Sequence, residues 1–311
     1  MDFLTIALTR DELLGRGSGG TQRSRPKVFV AFRMNDPASR TFREELETGL
    51  DSQPRPIVLD GRVGDGFPWA EEIRRRIKSS RFVVADVTGP SREVIFELGL
   101  AGGKPYLPVV QSERHRSILP GWLTALQIPS FEGAGTAKIA ETVRERLSSP
   151  TLRAPARPPA VPGKIVWLQN PDSPWCDPVY NRFEALCNER SVDIQKIFPE
   201  DLNSMEDLRA YLRAWLVVGC ADGGTQDYAM HYFAGDVVSR TDCGTGRGAG
   251  QKIRRGMMLL CPDDEKCSRY VADSVGRVSK MLVERVTPAS FALQSRAHLD
   301  RYRRWLKDDR S

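Results

Sequence analysis

The sequence lacks the features that would assign it to a membrane or secreted class. No apolar run reaches the roughly 18 residues of a membrane-spanning helix. The first residues carry Asp2, Arg10 and Asp11, whereas a signal peptide has a basic start and an apolar middle. We therefore expect a cytoplasmic protein that makes no contact with a membrane.

Cysteine and histidine are too few and too irregularly spaced for a recognisable metal motif. The six cysteines all lie in the second half, no two form a Cys-x-x-Cys pair, and the chain has only three histidines. Cys261 and Cys267 stand six positions apart across a polar turn. We expect reduced thiols, no bound metal and no cofactor other than a nucleotide such as NAD as substrate or ligand.

Positive charge is in moderate excess. The 46 lysines and arginines against 40 acidic residues give a net charge of +6, which suits a small phosphate-bearing partner as well as a nucleic acid. Arginine and aromatic residues alternate between Ala289 and Lys307, in a predicted helix at the carboxyl end. This helix is open to three interpretations: a docking helix, a nucleic-acid contact and a solvated amphipathic end.

The length and one proline-rich stretch divide the chain into two domains. At roughly 150 residues per domain, 311 residues make two. Residues 148–163 contain five prolines and read as a semi-extended linker, and residues 1–26, rich in glycine, read as a flexible arm. The predicted domains are therefore 27–147 and 164–311.

The first domain alternates short apolar runs with amphipathic helices. The predicted strands span residues 28–32, 56–60, 82–86, 105–110 and 127–131. Between them the apolar spacing predicts helices, for example over 91–101 and 136–147. Strand and helix alternating in this way specify a parallel sheet covered on both faces, with ligands at the carboxyl ends of the strands.

The second domain repeats this order. Strands are predicted at 164–169, 192–198 and 215–222, and a shift of 136 positions places Asp86 on Asp222 and Gly99 on Gly235. The fold class is therefore α/β, with two flavodoxin- or Rossmann-like parallel-sheet domains in tandem. The same shift replaces Glu97 by Phe233, so that the second copy is degenerate and chemistry is expected in the first copy alone. The glycine-rich run 244–250 follows no predicted strand and reads as a flexible loop.

Two carboxylates and several arginines are the candidate site residues. Asp86 ends a strand and Glu97 lies in the next helix with a mostly apolar flank, where a carboxylate either has a partner or a raised pKa. Asp86 could hold a ribose hydroxyl, orient Glu97, or cap its own turn through Thr88 or Gly89. The predicted substrate-binding residues are those at the ends of the strands and at the start of this helix: Phe32, Arg33, Asp60, Arg62, Ser91 and Arg92.

The run from Phe82 to Ala101, FVVADVTGPSREVIFELGLA, followed by Gly103-Lys-Pro, resembles the nucleoside 2-deoxyribosyltransferase-like proteins and the TIR-like domains of bacteria. The resemblance covers residues 27–112. It implies that Glu97 is the carboxylate that breaks an N-glycosidic bond. This chain has Ser91-Arg92-Glu93 where family members often have Asn-Pro-Asn. Many TIR-like relatives consume NAD or sense nucleotides in antiviral defence, which the resemblance extends to this chain.

The leading prediction is an N-glycosidase or glycosyl transferase that acts on a nucleotide, with NAD preferred over free deoxynucleosides. Its physical basis is that a carboxylate such as Glu97 beside C1′ can stabilise an oxocarbenium-like transition state. The alternative is a non-catalytic nucleotide sensor or signalling module. A homo-oligomer or a partner protein is expected in either case.

Overall fold

The computed structural model describes most of both predicted domains. The described residues are 25–51, 56–61, 69–89, 91–149, 161–211, 213–220, 225–240, 256–260 and 282–307. The predicted flexible arm to residue 24, the glycine-rich run and the cysteines Cys243, Cys261 and Cys267 lie outside them. Within the described helices, none is long and apolar enough to cross a membrane.

The first half contains the predicted parallel sheet. Its strands are β1 (Lys27–Ala31), β2 (Ile57–Asp60), β3 (Phe82–Asp86) and β4 (Tyr106–Val109), in the order β2-β1-β3-β4. Every pair is parallel. The central strands β1 and β3 are buried on both faces, as expected for a sheet covered by helices on either side, and the edge strands β2 and β4 are partly exposed.

Helices follow the strands of this sheet in alternation. They are α1 (Pro37–Gly49), α2 (Trp69–Ser79), α3 (Arg92–Leu100), α4 (Gly121–Thr124) and α5 (Gly135–Ser148), with a 3-10 turn at Glu113–Ile118. Asp36 caps α1 by accepting a hydrogen bond from the backbone of Ser39, with proline at the first position of the helix. Ser91 caps α3 through the backbone of Val94.

The predicted strand at 127–131 does not form. Only an isolated bridge joins Val110 to Ser130. Pro105 and Val109 point their carbonyls toward β3, so that the backbone of Pro108, one position before Val109, faces the outer edge. Proline has no N–H to donate there, and Pro129 lacks one on the opposite segment, which leaves a fifth strand without two of its ladder donors.

The second half repeats the same strand order and extends it. Its strands are β5 (Val161–Leu168), β6 (Asp193–Ile197), β7 (Ala214–Cys220), β8 (Gly256–Leu260) and β9 (Leu282–Val286), all parallel, in the order β6-β5-β7-β8-β9. The tandem α/β architecture is thereby confirmed. The predicted linker is shorter at both ends, because α5 continues to Ser148 and β5 begins at Val161. The sequence analysis did not identify β8 and β9.

The helices of the second half cover both faces of its sheet. They are α6 (Cys176–Glu189), α7 (Met205–Tyr211), α8 (Thr225–Arg240) and α9 (Pro288–Lys307), with a 3-10 turn at Pro199–Asp201. Helix α9 is the predicted carboxyl-terminal helix, and it packs on α6 through Phe291 and Phe183, whose ring centroids are 5.0 Å apart. Cys176 and Cys187 are buried on α6 and are not joined by a disulfide.

The two halves share one hydrophobic core. A single cluster of buried residues takes Phe29 and Ala85 from the first sheet and Val166 and Met257 from the second. Helices α3 and α8 lie between the sheets and make the most extensive contact between any two elements of the molecule. The opposite faces have separate clusters, under α1 and α5 in the first half and under α6 and α9 in the second.

Glycines at equivalent positions allow α3 and α8 to meet backbone to backbone. A Cβ atom added at Gly99 would lie 2.2 Å from the carbonyl oxygen of Tyr232, and one at Gly235 would lie 2.1 Å from that of Phe96. Tyr232 follows Phe96 by 136 positions, as Gly235 follows Gly99 (232 − 96 = 235 − 99 = 136). The contact is therefore reciprocal, as at the two-fold interface of a homodimer.

Candidate functional site

The strand order places a crevice at the carboxyl ends of β1 and β3. The chain leaves β1 toward β2 on one side, while β3 and β4 lie on the other, so that the loops after β1 and β3 diverge. In open parallel sheets ligands bind at this point. Arg33 and Asp36 lie in the first loop, and Thr88 and Gly89 in the second.

Arg33 is the cationic group of this crevice. Its Nη2 lies 3.6 Å from Asp36 Oδ1, and about one third of the side chain is exposed. Its Nε is buried and has no hydrogen-bond partner among the described residues. Gly89, in the left-handed region with φ of 48°, lies beside it, since a Cβ there would be 3.6 Å from Arg33 Nη1. Buried donors without an acceptor are rare in proteins, so this nitrogen marks an unusual point of the edge.

Asp86 is fully buried and holds the loop after β3 against α1. Its Oδ1 accepts a hydrogen bond from the Thr88 backbone at 3.0 Å, and its Oδ2 lies 2.5 Å from Ser39 Oγ. Burial raises the pKa of Asp86, and the hydrogen bonds from Ser39 and Thr88 and the charge of Arg33 only partly oppose it. Of the three roles proposed for Asp86, the structure shows the turn cap.

Asp36 completes a short polar chain with Ser39. Its Oδ2 accepts from the Ser39 backbone at 2.9 Å and lies 2.7 Å from Ser39 Oγ. Partial burial raises its pKa, but the two contacts with Ser39 and the charges of Arg33 and Arg40 outweigh burial, so that the pKa of Asp36 is lowered. Of the two aspartates in contact with Ser39, Asp36 is therefore the one that carries the negative charge.

Glu97 is a buried acid beside the end of β2. Only 4% of the residue is exposed, and a Cβ at Gly61 would lie 3.0 Å from Glu97 Oε1. No hydrogen-bond donor among the described residues contacts its carboxyl group. Burial, followed by the charges of Glu93 and Asp60, raises the pKa of Glu97 well above its ordinary value. The acid on an apolar flank is thus a buried carboxyl group with a raised pKa.

Asp60 is satisfied by arginines of the two flanking helices. Its Oδ2 lies 3.2 Å from Arg43 Nε on α1, and its Oδ1 lies 3.9 Å from Arg76 Nη1 on α2. Arg76 also donates to the backbone carbonyl of Asp60 at 2.9 Å. Asp60 therefore anchors the end of β2 between two helices.

The other predicted site residues lie in different surroundings. Phe32 is buried in the core under α1 and α5, Ser91 caps α3, and Arg62 lies outside the described residues. Arg92 crosses to the second half, where its Nε donates to Asp227 Oδ2 at 2.6 Å. The structure therefore brings Arg33 and Asp86 together at the crevice, and Glu97 and Asp60 together at the neighbouring strand end.

Several residues of this region were missed in the sequence. Asp36 followed by proline is a helix-start signal, and it could have identified the cap. No local sequence pattern indicates Ser39 or Arg43, because their role depends on how α1 lies over the strand ends. The buried Asp227 and His231, with Nδ1 of the histidine 3.2 Å from Asp227 Oδ1, required the packing of α8 against α3.

The corresponding edge of the second sheet presents amides after β5. Trp167 Nε1 donates to Gln169 Oε1 at 2.9 Å, and Asn170 Nδ2 donates to Ser173 Oγ at 2.8 Å. Asp222, the counterpart of Asp86, lies outside the described residues. Among the described residues, no group of three or more histidine, cysteine or acidic side chains could hold a metal ion.

Comparisons with known proteins give structural neighbours only. No family model matches the sequence, and no curated protein matches it. Among solved structures, the heptosyltransferase WaaC of E. coli with ADP aligns at 10% identity over 89% of this chain and 99% of that chain, with a TM-score of 0.32. The glycotransferase of kitacinnamycin aligns at 11% identity over 86% and 87%, with a TM-score of 0.25.

The assignment to the nucleoside 2-deoxyribosyltransferase-like and TIR-like proteins is therefore wrong, because no family model supports it and these neighbours bear the names of glycosyltransferases. The predicted N-glycosidase activity on NAD or a nucleoside and the predicted antiviral role rested on that assignment and are wrong as well. The Glu-Leu-Gly block that suggested the family has a packing reason in this fold, since Gly99 is required where α3 crosses α8.

Proposed function

We propose that the first half binds a phosphorylated small molecule, of the nucleotide class, at the crevice between the ends of β1 and β3. The observation that carries this proposal is the guanidinium of Arg33, which lies about one third exposed at the point where the strand order reverses. The exposed part of the guanidinium can donate charge-assisted hydrogen bonds to phosphate oxygens.

The surrounding backbone supports an anionic ligand. Helices α1 and α3 both begin at this edge, and the amino end of a helix carries partial positive charge and free N–H groups. Gly89 brings the loop after β3 close to the Arg33 guanidinium.

The experiment is a calorimetric titration of the purified full chain with ADP, NAD, a nucleotide sugar and inorganic phosphate. Binding of at least one nucleotide is expected, and Arg33→Ala should weaken it by roughly 10- to 100-fold, because a charge-assisted bond contributes about 1.5 to 3 kcal/mol. Arg33→Lys should recover only part of the affinity, since lysine lacks the planar fork.

Arg81→Ala provides the matched control. Arg81 lies at the amino end of β3, on the opposite edge of the same sheet, where it donates to the Ser149 carbonyl. Its loss should leave the affinity unchanged. A nucleotide that binds Arg33→Ala as tightly as the parent protein would place the ligand elsewhere and defeat the proposal.

A second candidate function, group transfer from a phosphorylated donor, is favoured by Glu97. Glu97 is a buried carboxyl group with a raised pKa near the same strand edge, and a group of this kind can protonate a leaving oxygen as a general acid. The test is to follow release of the nucleotide from any donor that binds. Glu97→Gln should lower turnover by about 100-fold or more while leaving the dissociation constant within about threefold. Equal turnover in the variant would remove Glu97 from the chemistry.

A further inference from the structure

Ser39 stands between two carboxyl groups with a single proton to offer. Its Oγ lies 2.5 Å from Asp86 Oδ2 and 2.7 Å from Asp36 Oδ2. A serine hydroxyl donates one hydrogen bond. If both aspartates were ionised, one of these two oxygen–oxygen contacts would have no hydrogen in it, which is repulsive at such a distance.

We propose that Asp36 and Asp86 share one additional proton through Ser39, and that this proton controls the affinity of the crevice for an anionic ligand. The second part rests on the proposed function, because it takes the Arg33 crevice as the phosphate site. The first part concerns the ligand-free protein.

The geometry indicates which group donates each hydrogen bond between Asp86, Ser39 and Asp36. Asp36 Oδ2 also accepts the Ser39 backbone N–H, and Asp36 Oδ1 faces Arg33 at 3.6 Å, so that Asp36 holds the negative charge. Asp86 is fully buried and its Oδ1 already accepts from the Thr88 backbone. The Asp86 Oδ2–H therefore donates to Ser39 Oγ, and the Ser39 hydroxyl donates to Asp36 Oδ2.

The charges around the chain agree with this direction. Arg33, from the loop after β1, lowers the pKa of both aspartates, and Arg40 on α1 lowers that of Asp36 only. Thr88 is the contact from the loop after β3, and it is not titratable in this range. Burial leaves the pKa of Asp86 raised while that of Asp36 is lowered.

Loss of the shared proton changes the crevice from one negative charge to two beside Arg33. A phosphate that binds Arg33 then meets a second carboxylate at close range. By linkage, the anion binds more tightly when Asp36, Ser39 and Asp86 hold the shared proton. Its binding in turn raises the affinity of these residues for that proton. The dissociation constant of the anion should be constant at low pH. It should then rise by about tenfold per pH unit once Asp36 and Asp86 of the ligand-free protein lose their shared proton.

The decisive variant is Asp86→Asn, which imitates the protonated aspartate. Its amide oxygen can accept from the Thr88 backbone, and its NH₂ group can donate to Ser39 Oγ. We expect binding of NAD, whose pyrophosphate does not titrate in this range, to become independent of pH and equal to the low-pH affinity of the parent. Asp207→Asn is the control, because Asp207 is bonded to Ser204 Oγ at 2.8 Å without a second carboxylate, and it should keep the parent's slope.

Carboxyl ¹³C NMR of the ligand-free protein separates the two parts. The resonances of Asp36 and Asp86 should titrate together in two steps, with the upper step above the range of an ordinary aspartate, and Ser39→Ala should uncouple them. Independent titration of both groups in the ordinary range would overturn the shared proton, whatever binds. If the two carboxyl groups titrate together but the dissociation constant of NAD has the same pH dependence in the parent and in Asp86→Asn, the shared proton does not control binding. Absence of nucleotide binding at any pH would instead refute the proposed function.

Discussion

The two sheets repeat one strand order, yet equivalent positions carry opposite chemistry. Helix α3 presents a buried glutamate, Glu97, where α8 presents a buried phenylalanine, Phe233, at the position 136 residues later. The loop after β1 carries Arg33, while the chain after β5 carries Gln169 and Asn170. The amide of Gln169 bonds Trp167 of β5 and Asp177 of α6, and that of Asn170 bonds Ser173. The repeated strand order therefore carries a buried acid and the crevice arginine in the first half, where the second half carries a phenylalanine and two amides.

The shared frame is maintained by a contact that neither half could make alone. Gly99 and Gly235 allow α3 and α8 to approach at backbone distance, and the residues around them form one core with both sheets. Because Glu97 lies on α3, the position of the acid depends on the second half. The comparison thus separates two roles: the second half positions α3, and the first half carries the chemistry.

The largest effect is expected from filling the helix crossing. In Gly99→Ala the new Cβ would lie 2.2 Å from the backbone oxygen of Tyr232, and since a backbone atom cannot rotate away, the helices must separate. The free energy of unfolding should fall by more than about 4 kcal/mol, despite the better helix propensity of alanine. Urea unfolding measures it, with the exposed Glu93→Ala on the same helix as control. A loss below about 1 kcal/mol would show that the halves do not depend on this crossing.

Breaking the ion pair between the halves should have the next largest effect. Arg92→Ala would leave Asp227, which is 2% exposed, without its 2.6 Å partner. An uncompensated buried carboxylate costs about 3 to 5 kcal/mol, and the lower end is expected because Arg92 is itself about one third exposed. The double variant Arg92→Leu with Asp227→Leu should regain much of that loss. Equal unfolding curves for Arg92→Ala and the parent would mean that this pair does not join the halves.

The sequence predicted the strands and their arrangement far better than it predicted the site. Apolar runs bounded by turn residues located all four strands of the first sheet. They also predicted a fifth strand at 127–131, which does not form because Pro108 and Pro129 lack ladder donors. Strand β8, the run GMMLL, has no β-branched residue, and the sequence offers little strand signal there.

The site depended on tertiary packing that no local pattern encodes. Glu97 and Asp86 were identified because an acid on an apolar flank and an acid at a strand end are unusual. Arg92, predicted at the ligand, binds Asp227 from a region 135 residues away. Ser39 became relevant only through its contact with Asp86, 47 residues later.

A smaller effect, dependent on pH, should distinguish Glu97 from its counterpart. The pKa of Glu97 is raised in the folded protein, so that the unfolded chain ionises first as the pH rises. Stability is therefore full below the ordinary pKa of 4.5 and falls, by up to about 1.4 kcal/mol per pH unit, until the raised pKa is reached. Glu97→Gln should lack this component, and its stability relative to the parent should increase from pH 4 to pH 8. Parallel pH profiles of the two proteins would show that Glu97 is ionised in the fold.

The central claim is that ligand chemistry belongs to the edge of the first sheet. The direct test is to titrate one nucleotide into the parent, Arg33→Ala and Gln169→Ala, all at the same salt concentration and pH. The account predicts a dissociation constant raised at least tenfold by Arg33→Ala and unchanged within about twofold by Gln169→Ala. Weakened binding in Gln169→Ala with full affinity in Arg33→Ala would place the ligand at the second sheet and contradict the account.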